Sequence, residues 1–129
     1  MTKKLYESYD LEDRLVQFGI IIIRLSEKIP NSRAGNVLAG QIVRSCTSPA
    51  LNYGESQAAE SRRDFIHKFK IILKELRETK VCLKMIKGAG LIKDEKLIDP
   101  AIKENDELIA IFVKSIETAK KNKSVEQND

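Results

Sequence analysis

The chain has 129 residues, a length that fits one domain with a modest hydrophobic core. Hydrophobic residues make up 42% and charged residues 33%, and 6 glycines and 3 prolines are too few for the turns of an all-β fold. The formal net charge of +4 is too small to indicate nucleic-acid binding by itself, so the distribution of charge matters more.

The first ten residues and the cysteines bear on location. Residues 1–10 contain no apolar stretch of signal-peptide type, and the densest apolar run, residues 19–23, is far shorter than the roughly 20 residues that span a bilayer. Cys46 and Cys82 each fall in a helical apolar pattern, which favours reduced, buried thiols over a disulfide. We therefore expect a cytoplasmic protein without a membrane segment.

The first predicted helix covers about residues 10–29 and ends before Pro30. Its apolar residues follow the 4-3 spacing of a packed helix: Leu11, Leu15, Phe18, Ile22, Leu25 and Ile29. Ile20, Ile21 and Ile23 widen this stripe, so we expect the helix to contact neighbours on more than one side. Pro30-Asn31-Ser32 supplies N-cap candidates for the next helix.

The second predicted helix covers about residues 33–53. Its apolar positions are Val37, Leu38, Ile42, Cys46 and Leu51. Pro49 lacks a backbone N–H, so it should kink the helix or end it nearby. Asn52-Tyr53-Gly54 is typical of a helix end, because Asn and Gly tolerate the left-handed conformation of a C-cap.

The third predicted helix covers about residues 61–87, from a capping pair of Ser61 and Asp64 to a stop at Gly88-Ala89-Gly90. Its seam consists of Phe65, Phe69, Ile72, Leu76, Thr79, Leu83 and Ile86. Because the connections are short, consecutive helices should be antiparallel neighbours.

The fourth predicted helix covers about residues 94–121, followed by a frayed polar tail at 122–129. Its seam consists of Ile98, Ile102, Asn105, Ile109, Phe112, Ile116 and Ala119. Asp99-Pro100 is either an N-cap and first-turn pair or part of a longer helix. The four segments predict an all-α single domain, an up-down-up-down antiparallel four-helix bundle.

Residues for catalysis or metal binding are sparse. A di-iron bundle needs two Glu-x-x-His motifs, whereas this chain has one histidine, His67, and only Asp64-x-x-His67 as an approach to the motif. No Ser or Cys comes with a placed base and an orienting acid, and there is no phosphate-binding Gly-rich loop. We therefore expect no enzymatic activity, no cofactor and no metal.

Charge is distributed unevenly between the last two helices. Residues 61–87 hold nine basic and three acidic residues, whereas residues 94–119 hold seven acidic and three basic ones. Five cations share one face of the third helix, offset from its apolar seam by about 200°, and we call them the basic stripe: Arg63, Lys70, Lys74, Arg77 and Lys84.

Three interpretations of the basic stripe remain open. It tracks the phosphates of RNA or DNA, it is a solvated face, or it docks on the acidic fourth helix of a neighbouring subunit. The i,i+4 pairs of Asp64 with Lys68 and of Lys74 with Glu78 favour the solvated face.

Small and polar residues are concentrated at 41–55, in a helix that should be apolar on one side. Small residues allow close helix approach, and Arg44 can pair with Glu55 or with a neighbour. The segment is either a tight interhelical contact with a kinked end or a groove for a ligand or partner. We call the following set the α2 motif: Gln41, Arg44, Ser45, Ser48, Asn52, Tyr53, Gly54 and Glu55.

The α2 motif, together with Ser61-x-x-Asp64-Phe65 and Lys74-Glu75-x-Arg77-Glu78-Thr79, resembles the bacterial 23S rRNA-intervening sequence proteins over about residues 9–119. The resemblance implies a four-helix bundle that assembles as a homopentamer. A related accessory protein of diversity-generating retroelements is a pentameric bundle that binds nucleic acid and partners a reverse transcriptase. The resemblance therefore leads us to expect nucleic-acid binding here. Three departures from the family pattern, at Cys46, at Leu51 and at residues 81–83, affect only packing.

Two functional hypotheses follow. The first is a non-enzymatic, homo-oligomeric module that binds RNA or DNA through the basic stripe. The second is a structural or scaffolding protein that binds a protein partner and uses its basic and acidic helices for assembly alone.

Overall fold

The computed structural model has four α-helices: α1 at Lys3–Ser26, α2 at Arg33–Ser56, α3 at Arg62–Gly88 and α4 at Glu95–Asn128. It describes the backbone of residues 3–128 and the side chains of residues 11–122. Over that backbone range no residue is in a strand. Each helix packs on the next in the chain, and α1 also contacts α4. The predicted all-α bundle is confirmed.

The seams predicted for α1, α3 and α4 form the core. Leu15, Phe18, Ile22 and Leu25 of α1 are at most 1% exposed. The core side chains of α3 and α4 meet them from the other side: Phe69, Ile72, Leu76, Leu83, Ile86, Ile98, Leu108 and Phe112. A 3.6-residue period was sufficient to find all of these positions except Leu108, because each helix presents one continuous apolar face to the others. Leu108 is fully buried, whereas the predicted seam had Ile109, which is only partly buried.

Helix α2 departs from the prediction. Val37 and Leu51 were expected in its seam but are 61% and 68% exposed. The buried face of α2 instead carries small, polar and ring-containing residues: Gly35, Ile42, Ser45, Cys46, Pro49, Tyr53 and Ser56. A hydrophobic period could not identify this face, since most of its members are not aliphatic.

The predicted helix end at Asn52-Tyr53-Gly54 was also wrong. Helix α2 passes through Pro49 and continues to Ser56 without a left-handed residue. Pro49 removes one backbone hydrogen bond, but Ile42, Cys46 and Tyr53 are buried on both sides of it. Packing against α1 and α3 therefore keeps the two halves in one helix.

The helix ends are set by local hydrogen bonds. Ser32 and Ser61 cap α2 and α3, accepting from the backbone N–H groups of Gly35 and Asp64 at 3.1 and 3.0 Å. Gly90, at φ 70°, ends the turn after α3, where the N–H of Leu91 donates to the carbonyl of Ile86 at 3.0 Å. These predicted caps and this predicted stop are confirmed.

The outer bounds differ from the prediction. Helix α1 begins at Lys3 rather than near residue 10, and it ends at Ser26 because the next residues close tight turns toward Pro30. Asp94 caps α4, so Pro100 lies inside the helix and Asp99 is not its cap. The backbone of α4 is helical to Asn128, where a frayed tail was expected; the side chains after Asn122 lie outside the described residues.

Among the described residues, none of the helices is both long enough and apolar enough to cross a membrane. Gly19 of α1 lies against α2, since a Cβ built there would be 3.4 Å from the carbonyl oxygen of Cys46. The outer surfaces of α2 and α3 lie on the side of the bundle that carries the basic stripe and part of the α2 motif.

Candidate nucleic-acid interface

The basic stripe lies on the outer surface of α3, where all five of its residues are exposed. From Arg63 to Lys84 the stripe spans roughly 32 Å at 1.5 Å per residue. No stripe residue forms an ion pair or hydrogen bond with any residue whose side chain is described. Within residues 11–122, the stripe is therefore a row of cations without bound counter-charges. His67, in line with it, is exposed as well.

The two i,i+4 pairs that favoured a solvated face are not the pairs that form. Lys68 Nζ lies 3.5 Å from Glu55 Oε2 of α2, and Glu78 Oε2 accepts from Arg44 Nη2 at 2.7 Å. Lys74 acts on Glu78 only through its charge, which contributes less than Arg44 to lowering the pKa of Glu78. Glu75 and Glu78 of α3 are thus held by Arg44 of α2, and no stripe residue forms a direct ion pair with them.

Arg44 of α2 forms ion pairs with two residues of α3. Its guanidinium donates to Glu75 Oε2 at 3.3 Å, to Glu78 Oε2 at 2.7 Å and to Gln41 Oε1 at 3.3 and 3.4 Å. Burial, followed by the charge of Glu78, raises the pKa of Glu75, whereas the hydrogen bond from Arg44 lowers the pKa of Glu78. Arg44 therefore does not pair with Glu55, one of the two partners expected from the sequence.

The inward residues of the α2 motif make a buried polar contact with α3. Ser45 Oγ and Thr79 Oγ1 are 2.8 Å apart, and Thr79 also donates to the backbone carbonyl of Glu75 at 3.0 Å. Both side chains are at most 1% exposed. Small hydroxyl side chains let the two helices approach closely while their polar atoms remain satisfied. Among the sequence alternatives for this segment, these inward residues fit the tight interhelical contact.

The rest of the motif divides between core and surface. Tyr53 packs among aromatic rings from three helices, with centroids 5.9 Å from Phe69 and 6.4 Å from Phe112. Asn52 Nδ2 donates to the carbonyl and the hydroxyl of Ser48 at 3.0 and 2.9 Å. Gly54 is exposed, and a Cβ added there would meet nothing within 4 Å, so this chain alone gives no steric reason for glycine.

A groove of about 850 Å³ lies on the outer side of α2 and α3, and we call it the α2–α3 groove. It brings the middle of the basic stripe next to the outward residues of the α2 motif. Arg63 and Lys84, the ends of the stripe, do not line it. Its lining is Val37, Leu38, Gln41 and Arg44 from α2 and Lys70, Leu73, Lys74, Arg77, Glu78, Val81, Cys82 and Met85 from α3.

The sequence reasoning missed the apolar part of this groove. Val37, Val81 and Met85 are 61%, 50% and 55% exposed. Val81 and Met85 are four residues apart and off the predicted seam of α3, and this spacing was the signal available in the sequence. Exposed apolar side chains that cluster beside cations are typical of interaction surfaces rather than of a plain solvated face.

The acidic residues of α4 are largely paired within the chain. Arg14 of α1 makes two hydrogen bonds to Glu104, at 2.6 and 2.8 Å, and also contacts Glu107. Its hydrogen bond lowers the pKa of Glu104. Lys80 pairs with Asp106 at 2.9 Å and Lys87 with Asp99 at 2.7 Å. Because these carboxylates already have partners, α4 offers fewer free charges to a neighbouring subunit's stripe.

Neither cysteine is in a disulfide. Burial raises the pKa of Cys46 to about 12 and also raises the pKa of Cys82, so both are poor nucleophiles near neutral pH. Within the described residues, no group of three or more His, Cys, Asp or Glu side chains is placed to hold a metal ion.

Comparisons with known proteins agree with this architecture. The family model described as "23S rRNA-intervening sequence protein" matches residues 7–114. A solved structure of a protein of unknown function from the S23 ribosomal protein family of Bacteroides thetaiotaomicron is 29% identical, with a TM-score of 0.76 over 82% of this chain and 97% of that chain. No curated protein matches the sequence. The chain belongs to the 23S rRNA-intervening sequence protein family.

Proposed function

We propose that this protein is a non-enzymatic, homo-oligomeric helical bundle that binds RNA or DNA through the basic stripe. The observation that carries the proposal is the state of the stripe: five exposed cations over roughly 32 Å, none paired with a described residue. Exposed, unpaired Lys and Arg side chains release counterions when they meet phosphates, and this release drives sequence-independent binding.

The arrangement of acidic residues supports phosphate as the ligand. Glu75 and Glu78 are held on the α2 side by Arg44, and Asp99, Glu104 and Asp106 are paired with cations of the same chain. The stripe therefore keeps its positive potential. The family's description refers to 23S rRNA, which makes structured RNA the first nucleic acid to test.

Homo-oligomerisation would raise the affinity for nucleic acid, because several weak contacts would act together. A single stripe offers at most five phosphate contacts, whereas a ring presents one stripe per copy and gains through effective concentration. The family resemblance implies five copies. Exposed apolar side chains on α1, α2 and α3 give such an assembly surfaces to bury.

The second candidate is a structural or scaffolding protein that binds a protein partner. Three of the five stripe cations line the α2–α3 groove together with exposed aliphatic side chains. A phosphate backbone makes no use of an aliphatic floor, so this feature favours a protein contact. A sound test must therefore separate the stripe from the groove.

Substitutions at the two ends of the basic stripe test nucleic-acid binding without changing the lining of the α2–α3 groove. We expect Arg63→Glu with Lys84→Glu to weaken binding of an RNA hairpin and of duplex DNA at least tenfold near 0.1 M salt. The slope of log affinity against log salt should fall in magnitude by about 2, because about one phosphate contact is lost per residue. Light scattering should show an unchanged oligomer, since neither residue lines the groove.

The matched control is Lys93→Glu with Lys96→Glu, which changes the net charge equally at two exposed positions off α3. Binding by the control should fall less than threefold. Equal losses for both variants would mean that net charge alone attracts nucleic acid. If the wild-type protein does not bind RNA or DNA even at low salt, the second candidate takes its place.

A further inference from the structure

Helix α1 carries an exposed apolar ridge that its own bundle does not cover. Val16 and Ile23 are 42% and 38% exposed, and Ile20 between them is partly buried. The 4-3 spacing places the three on one face of the helix. Asp13, on the same face, and Glu27, directly after the end of α1, are exposed and bound them at the two ends. We call these five residues the α1 ridge.

The two acidic ends of the ridge are free for a partner. Asp13 and Glu27 form no ion pair with any residue whose side chain is described, whereas Arg14 pairs with Glu104 and Glu107 of α4. The ridge is thus apolar along its middle and has one carboxylate at each end, with the exposed Arg24 and Lys28 beside Glu27. Such a face is suited to a groove with an apolar floor and a positive rim.

The α2–α3 groove has that chemistry. Its floor includes Val37, Val81 and Met85, each at least half exposed. Its charged lining is Lys70, Lys74 and Arg77 together with Arg44 and Glu78, which pair with each other, so the rim is positive on balance. Lys70, Lys74 and Arg77 have no ion-pair partner among the described residues. Exposed aliphatic and thioether side chains of this kind are stabilised when a second apolar face covers them.

The dimensions agree as well. The ridge from Asp13 to Glu27 spans roughly 21 Å, and the groove along α3 from Lys70 to Met85 spans roughly 22 Å.

We infer that the α2–α3 groove receives the α1 ridge of a second copy of this chain. The ridge and the groove are different surfaces, so the contact is head-to-tail, and an open chain of copies keeps one free ridge and one free groove at its two ends until a ring closes. The inference rests on the proposed homo-oligomer and adds its interface. The carboxylates of Asp13 and Glu27 are about 21 Å apart and the three cations span only about 10 Å, so one of the neighbour's carboxylates lies near Lys70, Lys74 and Arg77. Phosphate contacts then depend more on Arg63 and Lys84.

The test uses one variant for each side of the contact. Val16→Glu places a charge on the ridge and Val81→Glu places one in the groove, and both change exposed residues without removing a cation. By light scattering, each variant alone should be monomeric. Mixed in equal amounts, they should form a one-to-one dimer, because Val16→Glu keeps an intact groove and Val81→Glu keeps an intact ridge.

The controls change equally exposed apolar residues outside the contact. Ile21→Glu on α1 and Leu51→Glu on α2 alter side chains that are 45% and 68% exposed and should leave the assembly as in wild type. Circular dichroism checks that all four variants fold. Cys82 lines the groove, so its alkylation should be at least fivefold faster in Val16→Glu than in wild type, whereas buried Cys46 stays protected in both.

The outcomes separate the interface from the assembly. If wild type is oligomeric and Val16→Glu and Val81→Glu remain so, the interface lies elsewhere and the inferred contact is wrong while the homo-oligomer stands. If the two variants dissociate but do not pair when mixed, the contact is not head-to-tail between these surfaces. If wild type is monomeric at high micromolar concentration, both the oligomer and the contact are refuted, and the groove is open to another protein's helix.

Discussion

The buried side chain of Asn105 offers the sharpest test of how this bundle is stabilised. It lies in the seam of α4 and is 0% exposed, and neither Nδ2 nor Oδ1 has a hydrogen-bond partner among the described residues. A buried polar group without a partner loses its hydration and gains nothing in return, at a cost of about 1–3 kcal/mol. Leucine has the same branching as asparagine, so Asn105→Leu replaces the amide with methyl groups.

We expect Asn105→Leu to raise the free energy of unfolding by about 1–2 kcal/mol. Removal of the unsatisfied amide contributes most of this, and the better helix propensity of leucine adds a few tenths. The larger volume of leucine in a packed core reduces this gain in stability by up to about 1 kcal/mol. For a chain of this size the melting temperature should rise by about 4–8 °C.

Urea denaturation followed by circular dichroism, at one fixed protein concentration, measures the effect. The matched control is Asn122→Leu on the exposed face of the same helix, which changes only propensity and should stay within about 0.5 kcal/mol of wild type. If Asn105→Leu is less stable than wild type by more than about 1 kcal/mol while Asn122→Leu is not, the amide has a buried partner and the reasoning is refuted.

Two further predictions concern glycine and a buried carboxylate. Gly35→Ala should lower the free energy of unfolding by about 1–3 kcal/mol, since the new Cβ would lie 2.3 Å from the carbonyl oxygen of Pro30. Gly54→Ala should raise it by about 0.5–1 kcal/mol, because the new Cβ meets no atom within 4 Å and alanine favours the helix more than glycine does. Destabilisation by Gly54→Ala, measured by urea denaturation, would contradict the open surface there. Burial raises the pKa of Glu75 in the folded state above the unfolded value of 4.5. Above the folded-state pKa the ionised carboxylate therefore lowers the free energy of unfolding, and this destabilisation disappears as the pH falls below 4.5. Glu75→Gln should therefore be more stable than wild type at pH 7 and equal to it near pH 4. A variant that is less stable than wild type at pH 7, with a difference that shrinks on acidification, would show that Arg44 dominates.

The architecture could be predicted from the sequence because it depends on local rules. The 4-3 spacing of Leu15, Phe18, Ile22 and Leu25 reveals a helix with one buried face whatever its neighbours are. Ser32, Ser61 and Gly90 mark helix ends because their caps are made by residues three to five positions away. The motifs at 41–55, 61–65 and 74–79 were specific enough to indicate the family that the comparison confirms.

Positions that depend on several chain segments at once could not be predicted. Whether a helix stops at Pro49 depends on the free energy of packing both halves against α1 and α3, and that free energy outweighs one lost hydrogen bond. Whether Val37 is core or surface depends on which face of α2 meets α3, and Ser45 with Thr79 fixed that face.

By itself the sequence determined four amphipathic helices, their caps, a row of cations on the third helix and membership of the family. Only the tertiary structure decided that Arg44 binds Glu75 and Glu78, that the acids of α4 are paired within the chain, and that Lys70, Lys74 and Arg77 border an aliphatic groove while Arg63 and Lys84 do not. The physical reason is the distance along the chain over which each interaction acts. Helix propensity and capping act within a few residues, whereas ion pairs and grooves join residues that are dozens of positions apart and depend on how whole helices pack.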